Sequence, residues 1–176
     1  NTMEQQVVTW VHPPIRMYEL NCDASVSLVD ESAATGGVFC DHGGIVILSF
    51  AAKIGFYSVV NLELWAIYIG MAIAWNKAFI KFLVESDSLL AISPLRNGCP
   101  LCHPCFSLVQ SIRSFVVAGG DLEWCHVLLE ANQNVDKLAN YGRSLTDNLY
   151  VFNNVMPFFA LVVQADVSST FFSRGF

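Results

Sequence analysis

The sequence predicts an α/β fold in which a mixed five-stranded sheet is flanked by helices. Up to residue 50, the segments rich in apolar residues have the two-residue period or the turn signals of strands. From residue 59 the apolar residues recur at three- and four-residue steps, which is the period of a helix. Strands and helices then alternate, and a sheet with the first strand central and the fourth strand parallel beside it satisfies this order.

The first strand is predicted at residues 18–25, where apolar and polar residues alternate. This alternation places Asp23 among small residues on the polar face, which leaves room for a ligand. Taken alone, an Asp near a strand end most often caps or turns the backbone. Residues 36–40 and 45–50 are predicted as two further strands, because the Asp-His-Gly-Gly sequence between them is a strong hairpin signal.

The remaining elements follow from changes of period. A buried helix is predicted at residues 59–76, with Glu63 in its early turns, and a buried strand at 79–84. That strand ends in Glu85-Ser86-Asp87-Ser88, where the chain passes into a helix. Later elements are a helix at 106–117, a strand at 122–127 and a helix at 130–143. We expect an irregular lead-in at 1–16, one domain at 17–145 and an apolar C-terminal extension at 146–176.

Composition favours a single domain with a substantial core. The chain has 176 residues, of which 54% are hydrophobic, and its net charge is −6. Its nine lysines and arginines are scattered singly, which argues against strong charge-driven binding of nucleic acid unless metal ions neutralise part of the acidity. The longest apolar run, residues 64–75, is shorter than the roughly 20 residues of a membrane span, so we expect no membrane association.

The six cysteines favour a reducing compartment. Cys22, Cys40 and Cys125 lie in apolar or strand-like settings where a free thiol behaves as a small hydrophobe. Because the N-terminal residues also lack a basic region followed by an apolar segment, we expect an intracellular protein of the cytoplasm or nucleus. The cysteine-rich loop at 99–105 has no second cysteine pair elsewhere, so an ordinary loop with free thiols is favoured over a zinc site.

Four carboxylates are predicted to meet at one edge of the sheet. In such folds the ligand site lies at the carboxyl ends of neighbouring parallel strands, which brings Asp23 close to Asp87. Glu63 and Asp136 can point to the same edge from two helices. Converging carboxylates select hard divalent cations, Mg²⁺ or Mn²⁺, and two such ions can clamp the attacking and leaving oxygens of a phosphodiester. Each residue also has a plainer interpretation, as a helix-terminal charge, an N-cap or a solvated helix residue.

The motifs around these carboxylates resemble the plant type-1 ribonuclease H-like domain over about residues 10–145. In chain order they are Trp10 with Pro13-Pro14, Asn21-Cys22-Asp23-Ala24-Ser25, Gly36-Gly37-Val38, Glu63-Leu64-Trp65-Ala66-Ile67, Glu85-Ser86-Asp87-Ser88, His126-Val127, Glu130-Ala131-Asn132 and Asp136-Lys137-Leu138-Ala139.

The resemblance implies an endonuclease that cleaves the RNA strand of RNA–DNA hybrids with two Mg²⁺ ions. It assigns Asp23 as the carboxylate that bridges both ions, Glu63 and Asp87 as ligands of the leaving-group ion, and Asp136 as the ligand of the ion that activates water. His126 matches the family's loop histidine and would assist proton transfer or product release.

The chain also departs from the family pattern. Ala24 replaces the usual glycine, Leu62 replaces the usual alanine, and Leu129 stands where relatives commonly have a basic residue. These departures and the acidic balance favour a second hypothesis, a catalytically silent module that acts in nucleic-acid or protein interaction. The sequence identifies no protein partner.

Overall fold

The structure is a computed structural model that describes residues 7–8, 17–55, 57–128, 133–153 and 172–173. The motif residues Trp10, Pro13, Pro14 and Leu129, together with residues 130–132, lie outside the described part of the chain.

The described elements are β1 (Val7–Val8), β2 (Tyr18–Ser27), β3 (Ser32–Cys40), β4 (Val46–Ile54), α1 (Val59–Asn76), β5 (Lys81–Ser86), α2 (Leu89–Asn97), α3 (Phe106–Val117), β6 (Asp121–His126), α4 (Gln133–Gly142), β7 (Leu149–Phe152) and β8 (Phe172–Ser173). From β2 to α4 the described elements follow the predicted order, whereas β1 falls in the predicted irregular lead-in and β7 and β8 fall in the predicted apolar extension.

The main sheet has the strand order β6-β5-β2-β3-β4-β7. β5 pairs in parallel with both β2 and β6, whereas the β2–β3, β3–β4 and β4–β7 pairs are antiparallel. The prediction that the first long strand is interior, with a parallel neighbour, is therefore confirmed. β1 and β8 form a separate two-stranded sheet that joins segments close to the two ends of the chain.

Within the described residues the sheet has six strands, so the predicted number of five is wrong. The sixth strand, β7, falls in the segment that we predicted as an apolar extension, and it pairs with residues 49–52 of β4. β7 has only four residues, too few for its alternation to stand out from the apolar residues around it. In the fold, Tyr150 and Phe152 pack against the core on the α4 side, while Leu149 and Val151 are partly exposed on the other side.

The helices cover both faces of this sheet. Leu20 and Cys22 of β2 belong to a core cluster with Leu64 and Ile67 of α1, and the same cluster includes residues of α2 and α3. The opposite face packs against α4 through a second cluster, which includes Leu138. Since side chains alternate along a strand, β2 contributes to both layers.

α4 lies very close to the middle of the sheet. A Cβ atom on Gly36 of β3 would lie 2.7 Å from the backbone nitrogen of Ala139 in α4, which is closer than such atoms approach. The glycine is therefore required by packing, and it allows α4 to approach β3 at Gly36, which is the register partner of Asp23 in β2.

α1 is the one helix in the described ranges that is long and apolar enough, by length and composition, to cross a membrane. Its buried side chains include Leu62, Leu64, Ile67 and Met71. Packing against the sheet accounts for its apolar character, since the core helix of a globular domain has the same composition.

Candidate active site

Three carboxylates meet at the edge of the sheet where β5 ends. Asp23, Glu63 and Asp87 each offer a carboxylate oxygen, and these oxygens all lie within 4.8 Å of one another. Asp23 and Glu63 are 4% and 5% exposed, so the cluster is formed largely from buried acid groups. Of the four carboxylates that the sequence analysis predicts to converge, the structure therefore brings three into one group.

Strand register and helix packing explain this arrangement. In the parallel β2–β5 pair, Asn21 lies opposite Glu85, so Asp23 and Asp87, each two residues further on, end at the same edge. α1 packs on β2 through the core cluster, where the thiol of Cys22 also donates to the carbonyl oxygen of Ala66 over 3.6 Å. This packing places Glu63, the fifth residue of α1, beside Asp23.

Burial and mutual repulsion disfavour ionisation of these groups. Burial, then the charge of Asp87, raises the pKa of Asp23 to about 7, although its Oδ1 accepts a 2.8 Å hydrogen bond from the backbone N–H of Ala24. Burial, then the charges of Asp23 and Asp87, raises the pKa of Glu63 to about 9. Burial also raises the pKa of Asp87. Fully ionised, the cluster would be favourable only with positive charge among its oxygens.

The chemistry of the donors fits a hard divalent cation. All three ligands are carboxylates, which is the donor type that Mg²⁺ and Mn²⁺ prefer. Glu63 also has a buried carboxylate oxygen, Oε2, with no hydrogen-bond partner among the described residues. A buried oxygen of this kind costs free energy unless a ligand satisfies it, and a cation would do so.

Asp136 lies near the three carboxylates but outside their group. It is in the first turn of α4, and its charge contributes to the raised pKa values of both Asp23 and Asp87. Its Oδ1 accepts a 3.2 Å hydrogen bond from Nδ2 of Asn140, one helical turn further on. Asn140 in turn accepts hydrogen bonds from Ser25 of β2 and from Arg143.

The network around Asn140 is absent from the sequence predictions. Its one sequence signal is the four-residue spacing from Asp136, which places the two side chains on the same face of a helix. The 2.6 Å contact between Ser25 and Asn140 ties α4 to β2 two residues beyond Asp23, so this network fixes where Asp136 stands relative to the cluster.

His126 is exposed at the end of β6, beside Asp87. The β5–β6 register pairs it with Ser86, and its Nε2 donates to the backbone carbonyl oxygen of Asp87 over 3.0 Å. The imidazole is therefore at the rim of the carboxylate cluster, and its charge opposes the rise in the pKa of Asp87.

A second pair of acidic side chains lies behind the cluster and was also missed. Glu19 of β2 and Glu85 of β5 are buried, and burial raises the pKa of Glu85 to about 7. Nδ2 of Asn21 donates to Glu85 over 3.3 Å. Sequence patterns gave no signal for this pair, because a glutamate within a strand is ordinarily placed on an exposed face.

Two of the residues that depart from the family pattern, and the cysteine-rich loop, have ordinary structural contacts. Ala24 donates its backbone N–H to Asp23, and Leu62 is fully buried in the core. In the loop, Nδ1 of His103 accepts a 3.1 Å hydrogen bond from the backbone N–H of Cys105. The six cysteines form no disulfide within the described residues.

Comparison with known proteins gives a consistent result. A sequence model of the family described as reverse transcriptase-like matches residues 21–142. A protein of Arabidopsis thaliana whose name describes it as a ribonuclease H protein is 30% identical over 162 residues, covering 92% of this chain and 26% of that protein. The chain thus spans about a quarter of the length of this relative.

Solved structures share the fold. Ribonuclease H1 of the halophilic archaeon Halobacterium salinarum aligns over 72% of this chain and 96% of its own, with a TM-score of 0.65 and 20% identity. A ribonuclease H1 named LC11, solved in complex with an RNA/DNA hybrid, aligns over 72% of this chain and 96% of its own, with a TM-score of 0.63 and 16% identity.

Proposed function

Because the chain belongs to the reverse transcriptase-like family and folds as a ribonuclease H-like domain, we propose that it is a metal-dependent endoribonuclease that cleaves the RNA strand of RNA–DNA hybrids. The observation that supports this most directly is the oxygen-only cluster of Asp23, Glu63 and Asp87. The hybrid bound by one of the similar structures supports the choice of substrate.

The proposal gives each side chain a role. Two Mg²⁺ or Mn²⁺ ions bound here would supply an acidified water as nucleophile and positive charge at the leaving oxygen. Asp23, Glu63 and Asp87 would hold the ions, and Asp23 would be the shared ligand, because its carboxylate interacts with both Glu63 of α1 and Asp87, the residue after β5. Asp136, held by Asn140 and close enough to raise the pKa of Asp23, would be the ligand of the ion that activates water.

His126 acts on protons in this proposal. Its side chain is exposed and is oriented by the hydrogen bond from its Nε2 to the carbonyl oxygen of Asp87. An imidazole at the rim of the cluster can take a proton from water or give one to the leaving oxygen, which is the role typical of histidine near neutral pH.

The experiment is a cleavage assay with matched acid variants. We incubate the wild type, Glu63→Gln and Glu123→Gln with a labelled RNA–DNA hybrid and Mg²⁺, and use double-stranded RNA and double-stranded DNA as controls. Glu123 is an exposed acid of β6, so its variant changes net charge equally without touching the cluster. We expect the wild type and Glu123→Gln to cut only the hybrid, and Glu63→Gln to be inactive. Equal cleavage by all three proteins would show that the assigned site is wrong.

A catalytically silent interaction module is the second candidate. It is favoured by the net charge of −6, which gives a polyanionic substrate little general attraction. A calorimetric titration with Mg²⁺ separates the two, because an assembled site binds the ion. Absence of both Mg²⁺ binding and hybrid cleavage would favour the silent module.

The expected location and domain boundaries also remain proposals. Six cysteines outside any disulfide in the described residues, three of them buried, support an intracellular, reducing compartment. The match over residues 21–142 supports a domain near the proposed 17–145, although β7 extends the sheet to Phe152.

A further inference from the structure

A groove with two arginines runs along the flank of the domain, between α2, α3 and β6. It has a volume of about 630 Å³. Arg96 and Arg113 line it together with Leu122, Trp124, Val116 and Val117, and no Asp or Glu is among its described lining residues. On a chain of net charge −6, the fold therefore gathers two separate cations into one groove whose described lining holds no acid. Its charge is complementary to an anionic ligand.

Both guanidinium groups are held in place by the backbone. Nη2 of Arg96 donates to the carbonyl oxygen of Trp124 over 2.6 Å, and Nη1 of Arg113 donates to the carbonyl oxygen of Leu95 over 3.4 Å. A guanidinium has five N–H donors, so each retains donors for a phosphate. Because the side chains are already oriented, a ligand pays less conformational entropy to engage them.

The hydrogen bond between Arg96 and Trp124 disfavours an extended peptide as the ligand of this groove. β6 is the outermost strand on its side of the sheet, and a peptide would ordinarily bind there by adding a further strand. The carbonyl group of Trp124 that such a strand would use already accepts from Arg96. Strand addition is therefore blocked at the centre of the groove.

The aromatic side chain of Trp124 and its position near His126 favour a nucleic acid strand as the ligand of the groove. The indole ring of Trp124 and the guanidinium planes can stack with unpaired bases, as in sites that bind single strands. Trp124 precedes His126 by two residues on β6, a distance of about 7 Å along the strand. A strand that leaves the carboxylate cluster past His126 would thus reach the groove directly.

We propose that the groove of Arg96, Arg113 and Trp124 binds a single-stranded segment of nucleic acid that continues from the hybrid at the carboxylate cluster. The continuity with the hybrid rests on the proposed function, whereas single-strand binding by the groove does not. The two arginines contact phosphates, and Trp124 stacks with a base.

The test measures binding without cleavage. The full chain, in EDTA, is titrated into a fluorescein-labelled ten-residue oligo(dT), and anisotropy is followed between 20 and 200 mM salt. Two phosphate contacts predict a slope of log K against log salt of about −1.4, which should approach zero in the variant with Arg96→Gln and Arg113→Gln. The matched control, Lys53→Gln with Lys77→Gln, removes the same charge outside the groove and should retain the slope.

Stacking is tested separately. Trp124→Leu keeps apolar bulk but loses the aromatic face, so binding should weaken roughly 5- to 150-fold. On isotopically labelled protein, oligo(dT) should shift the indole N–H resonance of Trp124 and leave that of Trp65 unmoved. Trp65 lines a different groove, between α1 and α3.

Four results would overturn the proposal. The first three are no binding of oligo(dT) at 20 mM salt, equal binding by the arginine variant and its lysine control, and resonance shifts at Trp65 in place of Trp124. The fourth is competition by poly-glutamate. If this peptide reverses the resonance shifts that oligo(dT) causes and binds more tightly than oligo(dT), the groove binds an acidic protein partner and the proposal is contradicted. Since cleavage takes no part in these measurements, an inactive carboxylate cluster would leave their outcome unchanged.

Discussion

Asp23→Asn should make the metal-free protein more stable while it abolishes cleavage. The asparagine is nearly the same size, and its Oδ1 can still accept the 2.8 Å hydrogen bond from the N–H of Ala24. The substitution removes the buried charge of the Asp23 carboxylate. Burial, and then the charge of Asp87, raises the pKa of this carboxyl group from the ordinary 3.8 to about 7. The variant therefore isolates the electrostatic cost of the site.

The size of the effect follows from the two pKa values. At pH 8 the group is ionised in both the folded and the unfolded protein, and the difference corresponds to about 4 kcal/mol of lost stability. Rearrangement of neighbouring carboxyls reduces this cost in the wild type, so we expect a gain of about 2 kcal/mol in the variant. For a chain of this length, that gain raises Tm by about 4–8 °C.

The assay is thermal unfolding by circular dichroism in EDTA, at pH 8 and pH 4.5. At pH 4.5 the carboxyl is protonated in the folded wild type, so the advantage of the variant should fall to roughly a quarter of its value at pH 8. Addition of Mg²⁺ at pH 8 should stabilise the wild type and not the variant. An Asp23→Asn protein that is less stable than the wild type at pH 8, or that has the same advantage at both pH values, would refute the reasoning.

Three further outcomes are expected. Burial raises the pKa of Asp23 and Glu63, so between about pH 4 and pH 9 the metal-free folded protein binds more protons than the unfolded chain. Its midpoint of urea denaturation should therefore fall as pH rises. A midpoint that rises with pH would contradict this. His126→Ala should slow hybrid cleavage about 10²-fold and leave the Mg²⁺-induced rise in Tm intact, so an unchanged rate would exclude His126 from proton transfer. Gly36→Ala should lower the free energy of unfolding by about 1–3 kcal/mol in urea denaturation, because its Cβ would lie 2.7 Å from the nitrogen of Ala139. Gly43→Ala, in an exposed turn, is the control and should change this free energy little. Equal effects of the two substitutions would contradict the packing argument.

The sequence was sufficient for the layers of the fold and for most of the carboxylate cluster. Period-two alternation placed Asp23 on an interior strand, and the parallel pairing of β2 with β5 then followed from the order of elements. Parallel pairing alone brings Asp23 and Asp87 to one edge. The cluster was therefore predictable because it depends on topology and only weakly on side-chain packing.

Features that depend on packing between distant segments were not predictable. Asn140 joins Ser25 to Asp136 across 115 positions of sequence, and Arg96 meets Arg113 because two helices pack side by side. The buried pair of Glu19 and Glu85 runs against the general preference of glutamate for exposed positions, so no pattern rule would have placed it.

The sixth strand sets a practical limit on how short the protein can be made. β7 covers the outer backbone groups of β4 at residues 49–52, a segment that includes the buried Phe50 and Ala51. A chain truncated at residue 145 would leave that row of N–H and C=O groups open beside an apolar surface, which is the template for edge-to-edge pairing and aggregation. Recombinant forms that extend through Phe152 should therefore stay in solution at concentrations where the truncated form precipitates.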